Sequence, residues 1–223
     1  MKIISICVII IVMNIEKENE EFIRKYVRKD TRAYRFWRTL CILPAYLLYR
    51  PKYKGKENIP DKGGVILASN HIHLGDPAFV LLSTDRVVRY MAKKELHDSP
   101  LGFMYRSANT IPVDRQHGAH DSLMAAETAL NQGEVVGIFP EGTRNRVIPG
   151  GLLPFKIGAV KMAKETGAAI VPIGYTSGGR PFLDPYRIVI GEPYYIDKDA
   201  DLEEENEKLR AKVQELLEEC KKM

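Results

Sequence analysis

Residues 65–79 read VILASNHIHLGDPAF. The opening VILA is a short apolar run with β-branched residues, the pattern of a strand buried on both faces. It runs straight into a polar turn holding Asn70, His71, His73 and Asp76, and ends on the Asp76-Pro77 pair with which helices often begin. Buried strand, short loop and helix start are the parts of an α/β sheet, where ligands gather beyond the carboxyl ends of the strands.

Working outward, the same punctuation recurs. VVRYMA (87–92), TIPV (110–113), VVGIF (135–139), AIVPIGY (169–175) and RIVIG (187–191) read as further strands. Helical segments are expected over 121–132, with Asp121 as N-cap and Gly133 past the end, and over 156–166, closed by Gly167. From Asp199 the tail places Leu209, Val213, Leu216, Leu217 and Cys220 at helical spacing, a surface helix with one apolar stripe. The fold class is therefore α/β: a single domain with a central, mostly buried sheet flanked by helices. The expected division is an N-terminal helical segment over 1–50, the α/β domain over 51–198 and a C-terminal helix over 199–223.

The totals agree with one catalytic-size domain, since 223 residues with 45% apolar content suffice for one sizeable core. Cys7, Cys41 and Cys220 are odd in number and far apart, so neither a disulfide framework nor a cysteine zinc site is indicated, and a reducing compartment fits. The net charge of +4 is modest but uneven: from Phe22 to Lys56 there are eleven Lys or Arg against the single acid Asp30. Such a block asks for an anionic partner or plain solvent.

The apolar run at 3–13, IISICVIIIVM, is well short of the roughly 20 residues that span a bilayer. No small-residue cleavage site follows it, which argues against a secretory signal, and Met13 is an alternative start. Residues 16–36 read as a charged helix. FWRTLCILPAYLLY (36–49) mixes aromatics with leucines and is broken by Arg38 and Pro44, the composition of an element lying in a membrane interface. In that reading Trp37, Leu40, Ile42, Leu43, Leu47 and Leu48 enter the lipid, helped by Arg24, Lys25, Arg28, Lys29, Arg32 and Arg35. The alternative is a helix packed on the domain's own core.

Three strands end in polar clusters: VILAS in the 70–76 turn, TIPV in Asp114 and Arg115, and VVGIF in PEGTRNR (140–146). If the strands run alike, one base and several cations share a rim. Asp76 can reach back to one ring nitrogen of His71 and leave the other free to take a proton, or it can simply cap the helix ahead of Pro77. His71, His73 and Asp76 also resemble half a metal-ligand set, though no second cluster completes it. PEGTRNR is either a salt-bridged surface turn or a phosphate grip, in which Arg144 makes paired hydrogen bonds and Thr143 and the backbone near Gly142 add donors. There is no G-x-S-x-G elbow and no nucleotide-binding P-loop.

With these residues assembled, the chain resembles the phospholipid and glycerol-phosphate acyltransferase superfamily, most closely the bacterial 1-acylglycerol-3-phosphate acyltransferases. His71 through Asp76 matches the family's H-x-x-x-x-D motif, TIPVDR (110–115) its second block, FPEGTR (139–144) its third and IVPIG (170–174) its fourth, in order. One departure is Asn109, where members commonly carry Gly; Asn is the non-glycine residue that best tolerates a left-handed backbone. The resemblance implies acyl transfer from a thioester of acyl carrier protein or coenzyme A to the sn-2 hydroxyl of lysophosphatidic acid, giving phosphatidic acid. Glycerol 3-phosphate or another lysophospholipid is the alternative acceptor; a metal-dependent hydrolase and a membrane-binding module are the alternatives outside the family. His71 is implied as base and Asp76 as its orienting partner, with Arg115, Glu141, Gly142, Thr143 and Arg144 around the acceptor phosphate and Lys156 a further cation. No metal, cofactor or nucleic acid is implied. The expected location is peripheral, on the anionic cytoplasmic face of the cell membrane.

Overall fold

A computed structural model of the chain describes residues 17, 20–27, 31–114, 120–176 and 182–223, apart from the side chains of Cys41 and Ile42. The run at 3–13, Arg28, Lys29 and Arg115 lie outside the described residues.

Seven strands form one mixed sheet: β1 (Lys52–Lys54), β2 (Val65–Ser69), β3 (Val88–Lys93), β4 (Ile111–Val113), β5 (Val135–Ile138), β6 (Ala169–Thr176) and β7 (Arg187–Ile190). Their order is β1-β7-β6-β2-β5-β3-β4. The five strands from β2 to β6 are mutually parallel, while β7 pairs antiparallel with β6 and carries β1 parallel to itself. β2, β4 and β5 therefore do end on one rim, as the sequence requires for a shared site.

The helices are α1 (Arg32–Tyr49), α2 (Asp76–Leu81), α3 (Lys94–His97), α4 (Gly102–Ser107), α5 (His120–Asn131), α6 (Gly158–Thr166) and α7 (Leu202–Lys222). Strand alternation assigns each face its core: Ile66 and Ala68 of β2 join the helices α5, α6 and α7, whereas Val65 and Leu67 pack with Phe79 and Tyr186 on the side of α1 and α2. The sheet is thus a middle layer between two layers of helices. β2 is buried along its whole length, which explains its unbroken apolar run. α7 buries Leu209, Val213, Leu217 and Cys220. Its backbone lies directly on Gly174, where an added Cβ would come within 2.5 Å of the Leu217 nitrogen.

Several boundaries differ from the sequence reading. The charged helix expected over 16–36 is not continuous: helical residues 20–26 end in a bend at Val27, and α1 begins afresh at Arg32. α1 then continues through Pro44, which withholds a donor from Leu40 without ending the helix. Asp121 lies inside the first turn of α5, and α7 is capped by Asp201, whose side chain accepts from the nitrogens of Glu203 and Glu204 at 2.9 Å. β1 was not legible, since a three-residue exposed edge strand written KYK has no apolar pattern.

α1 is apolar on two sides. Tyr34 is buried beneath it and accepts a hydrogen bond from the Val88 nitrogen at 3.0 Å, and the Trp37 indole donates to Ser107 at 2.6 Å. Trp37 is therefore turned inward and Leu48 lines a cavity, contrary to the expectation that both face lipid. The exposed row consists of Phe36, Leu40, Leu43, Tyr46 and Leu47. No described helix is long and apolar enough to cross a membrane.

Candidate active site

β2 sits at the centre of the sheet, and where it leaves the ladder the buried Asn70 amide takes over its hydrogen bonds. Its Nδ2 donates to the Tyr175 carbonyl and its Oδ1 accepts from the Tyr175 nitrogen, both at 3.0 Å. This pins the start of the 71–75 loop to β6.

The loop then closes on Asp76. Gly75 is the N-cap of α2 and makes no side-chain cap, so the expected capping role of Asp76 is not what the structure shows. Instead the fully buried Asp76 carboxylate turns back: Oδ2 accepts from the nitrogens of Ile72 and His73 at 2.7 and 2.8 Å, and lies 2.7 Å from His71 Nδ1. A carboxylate on Nδ1 fixes the tautomer that leaves Nε2 unprotonated, and Nε2 makes no hydrogen bond to a described residue. The imidazole is also held in plane. It stacks on Phe139 with centroids 4.0 Å apart, and Phe139 stacks on Tyr90 at 5.6 Å. Gly137 leaves room for Tyr90, because a Cβ there would meet the ring at 2.7 Å.

The PEGTRNR segment clamps the main chain of His71 from both sides. Glu141 Oε1 accepts from the His71 nitrogen at 2.8 Å, Oε2 accepts from the Leu153 nitrogen at 2.9 Å, and the Asn145 nitrogen donates to the His71 carbonyl at 2.7 Å. Burial pushes the Glu141 carboxyl above its usual range, opposed by the hydrogen bonds from the nitrogens of Leu153 and His71. Glu141 thus faces backbone amides, not open space, while Thr143 and Arg144 line the cavity. Gly142 has φ +67, and a Cβ on it would lie 2.9 Å from Lys156 Cε and 3.2 Å from Nζ, so the lysine stem lies across this turn. Lys156 is itself registered by its nitrogen, which donates to the Pro140 carbonyl at 2.9 Å.

Burial also pushes up the phenols of Tyr175 and Tyr90, with the charge of Asp76 adding to both. Both hydroxyls are buried, and the carboxylate sits among neutral phenols. His73 shares the cavity with His71 but touches Tyr186 edge-on at 6.2 Å and has no carboxylate partner among the described residues. Among the described residues no three His, Cys, Asp or Glu side chains converge as a metal-ligand set. Asp114 pairs with Lys94 at 2.9 Å. Asn109 has φ +59, the left-handed conformation that asparagine tolerates best among non-glycine residues.

His71 lines a cavity of about 1560 Å³ whose walls also include Trp37, Ala45 and Leu48 of α1, and Arg144 and Lys156. The acyltransferase family model matches residues 50–176. The chain belongs to that family. Within this acyltransferase family, the 1-acyl-sn-glycerol-3-phosphate acyltransferase of Bacillus subtilis is 33% identical over 152 residues, spanning 65% of this chain and 73% of that protein. The protein of the same description from Borreliella burgdorferi is 36% identical over 122 residues, spanning 53% of this chain and 48% of its own length. Among solved structures, the 1-acyl-sn-glycerophosphate acyltransferase PlsC from Thermotoga maritima superposes with a TM-score of 0.68 at 25% identity, covering 89% of this chain and 86% of that one. The matched acyltransferase region begins at the end of α1 and contains all four blocks read from the sequence.

What the sequence did not disclose are the groups that hold the dyad: Asn70 on β6, Asn145 on the His71 carbonyl, and the Phe139 and Tyr90 rings behind the imidazole. Only Asn70 carried a signal, as an amide placed where a strand ends.

Proposed function

We infer that this acyltransferase moves a fatty acyl group from a thioester of acyl carrier protein or coenzyme A to the sn-2 hydroxyl of 1-acylglycerol 3-phosphate, giving phosphatidic acid. The observation that carries this reading is the His71–Asp76 pair, whose unengaged Nε2 meets a large, mostly apolar cavity that also holds Arg144 and Lys156. Apolar walls suit acyl chains; a guanidinium and an ammonium near the base suit a phosphate.

In the reaction, His71 Nε2 removes the proton of the acceptor hydroxyl as its oxygen attacks the thioester carbonyl. The Asp76 carboxylate supports the imidazolium that forms, and the departing thiolate takes the same proton when the tetrahedral intermediate collapses. The ester bond forms, the carbon–sulfur bond breaks, and neither a covalent enzyme intermediate nor a resident metal enters. Thr143, Arg144 and Lys156 receive the acceptor phosphate. Arg115 belongs to the same expectation. Glu141 acts one step back, as the residue that positions the backbone of His71.

The acceptor and the product are lipids, which supports work at a membrane surface. The exposed row Phe36, Leu40, Leu43 and Leu47 of α1, beside exposed Arg24, Lys25, Arg32 and Arg35, suits peripheral docking on an anionic cytoplasmic leaflet. The test is a panel of acyl-carrier-protein and coenzyme A thioesters against lysophosphatidate, glycerol 3-phosphate, lysophosphatidylcholine and monoacylglycerol, with products resolved by mass. Phosphatidate as the dominant product is expected; preferential acylation of glycerol 3-phosphate, or no transfer to any acceptor, overturns the reading.

A further inference from the structure

Beyond the EGTR segment the chain makes a turn, residues 145–151, that is tied by side-chain hydrogen bonds and yet presents apolar side chains to solvent. Val147 is 78% exposed and Ile148 44%. The bonds come mainly from the buried residue Asn145: Oδ1 accepts from the nitrogens of Val147 and Ile148 at 3.2 and 2.9 Å, and Nδ2 donates to the carbonyls of Ile148 and Gly151 at 3.2 and 2.9 Å. At the far end the Lys221 ammonium donates to the Gly150 carbonyl at 2.9 Å. Gly151 closes the turn because a Cβ there would come within 2.6 Å of Ile148 Cγ2. A loose loop would fold two aliphatic side chains back onto the protein. Here five side-chain hydrogen bonds hold them out.

We propose that the 145–151 turn is a membrane-contact tip, with Val147 and Ile148 entering the interfacial region of an anionic bilayer and Arg146 meeting lipid phosphates. This rests on the lipid-acceptor reading above and goes beyond α1 as the docking element. Three observations select a lipid surface as the occupant. Arg146 is exposed, forms no ion pair with a described residue, and lines the cavity, so its charge is available to a lipid phosphate beside the site. Exposed aliphatic side chains recur in the lining of the same cavity, at Leu74 (71% exposed) and Ile157 (37%), apolar surface that suits lipid rather than water. Finally, the turn is fixed to the site, since the nitrogen of Asn145 donates to the His71 carbonyl. Seating the tip therefore sets the height of the catalytic loop above the lipid.

The test uses the full chain with Val147→Asp/Ile148→Asp and sedimentation with mixed phosphatidylcholine and phosphatidylglycerol vesicles. Partitioning should fall on the order of tenfold, as follows from moving two aliphatic side chains out of the interface. Turnover on vesicle-embedded lysophosphatidate should fall with it, and turnover on a short-chain, water-soluble lysophosphatidate should stay at the wild-type level. Unchanged partitioning overturns the proposal, as do equal losses on both acceptors or a loss confined to acyl-carrier-protein donors, which would give the tip to the carrier. Self-association in the absence of lipid that the substitutions abolish would give it to a second copy, and also overturns the proposal. A second variant, Val147→Trp in a Trp37→Phe background, must be quenched by brominated lipids; an unquenched indole on bound protein refutes insertion. If the wild type acylates no acceptor, the functional reading fails while partitioning and quenching still decide the tip.

Discussion

Replacing Glu141 by Gln separates positioning of the base from binding of the phosphate. The carboxylate accepts from two backbone nitrogens, those of His71 at 2.8 Å and Leu153 at 2.9 Å. A carboxamide keeps one acceptor and turns an NH2 toward the other N–H, so one charge-assisted bond, on the order of 1.5–3 kcal/mol, becomes a donor facing a donor. Stability should fall by about that amount in urea unfolding. If the His71 side is the one released, Nε2 moves from its trained position and roughly 1.4–2.8 kcal/mol appears in the barrier, a loss of about 10- to 100-fold in kcat. The KM for lysophosphatidate should change little, because both Glu141 oxygens are taken by backbone nitrogens and Glu141 has no part in the phosphate contacts proposed above. A raised acceptor KM at unchanged kcat would refute this reasoning and return Glu141 to the phosphate site, the place that family resemblance alone suggested.

Asp76→Asn retains an oxygen for the nitrogens of Ile72 and His73 but loses the charge beside the imidazole, so kcat should drop by about 10²- to 10⁴-fold with little loss of stability; a destabilised, proportionately active protein would contradict it. Gly142→Ala forces a Cβ into a φ of +67 and against the Lys156 stem, so acceptor KM should rise together with a stability loss of about 1 kcal/mol; unaltered acceptor KM would remove Lys156 from the phosphate site. His97 is buried, and burial, with the charge of Arg106 adding to it, lowers its pKa to about 4. Because the unfolded chain takes up a proton near pH 6.5 and the folded chain does not until about pH 4, the contribution is present above pH 6.5 and is lost as pH falls through that window. Urea unfolding should show about 2 kcal/mol less stability at pH 5 than at pH 7.5, a difference that His97→Gln diminishes; an unchanged pH slope in the variant would contradict it.

How much of this was legible in the sequence depended on the range of each interaction. β2, β5 and β6 were readable because a strand buried on both faces must be apolar throughout, and the His71–Asp76 pairing was readable because five residues bracket one loop. The clamp on His71 was not. Glu141 and Asn145 recognise backbone N–H and C=O groups across the sheet, and backbone groups leave no mark on residue type. Asp76 looked like a helix cap because Asp before Pro usually is one, but here three donors within the preceding loop outcompete the helix terminus. α1 showed its mixed composition in the sequence. Which of its aromatics face inward was decided by tertiary partners, as with Trp37 and Ser107 some 70 residues apart.

We propose that Nε2 of His71, oriented by Asp76, takes the proton from the lysophosphatidate hydroxyl. The most direct measurement is turnover of purified wild type and His71→Ala with an acyl thioester and lysophosphatidate, product identified by mass, alongside His73→Ala and a urea unfolding curve for each. Phosphatidate is expected from the wild type and from His73→Ala, none above background from His71→Ala, and cooperative unfolding in all three. Phosphatidate formation by folded His71→Ala, or its disappearance only in His73→Ala, would contradict it.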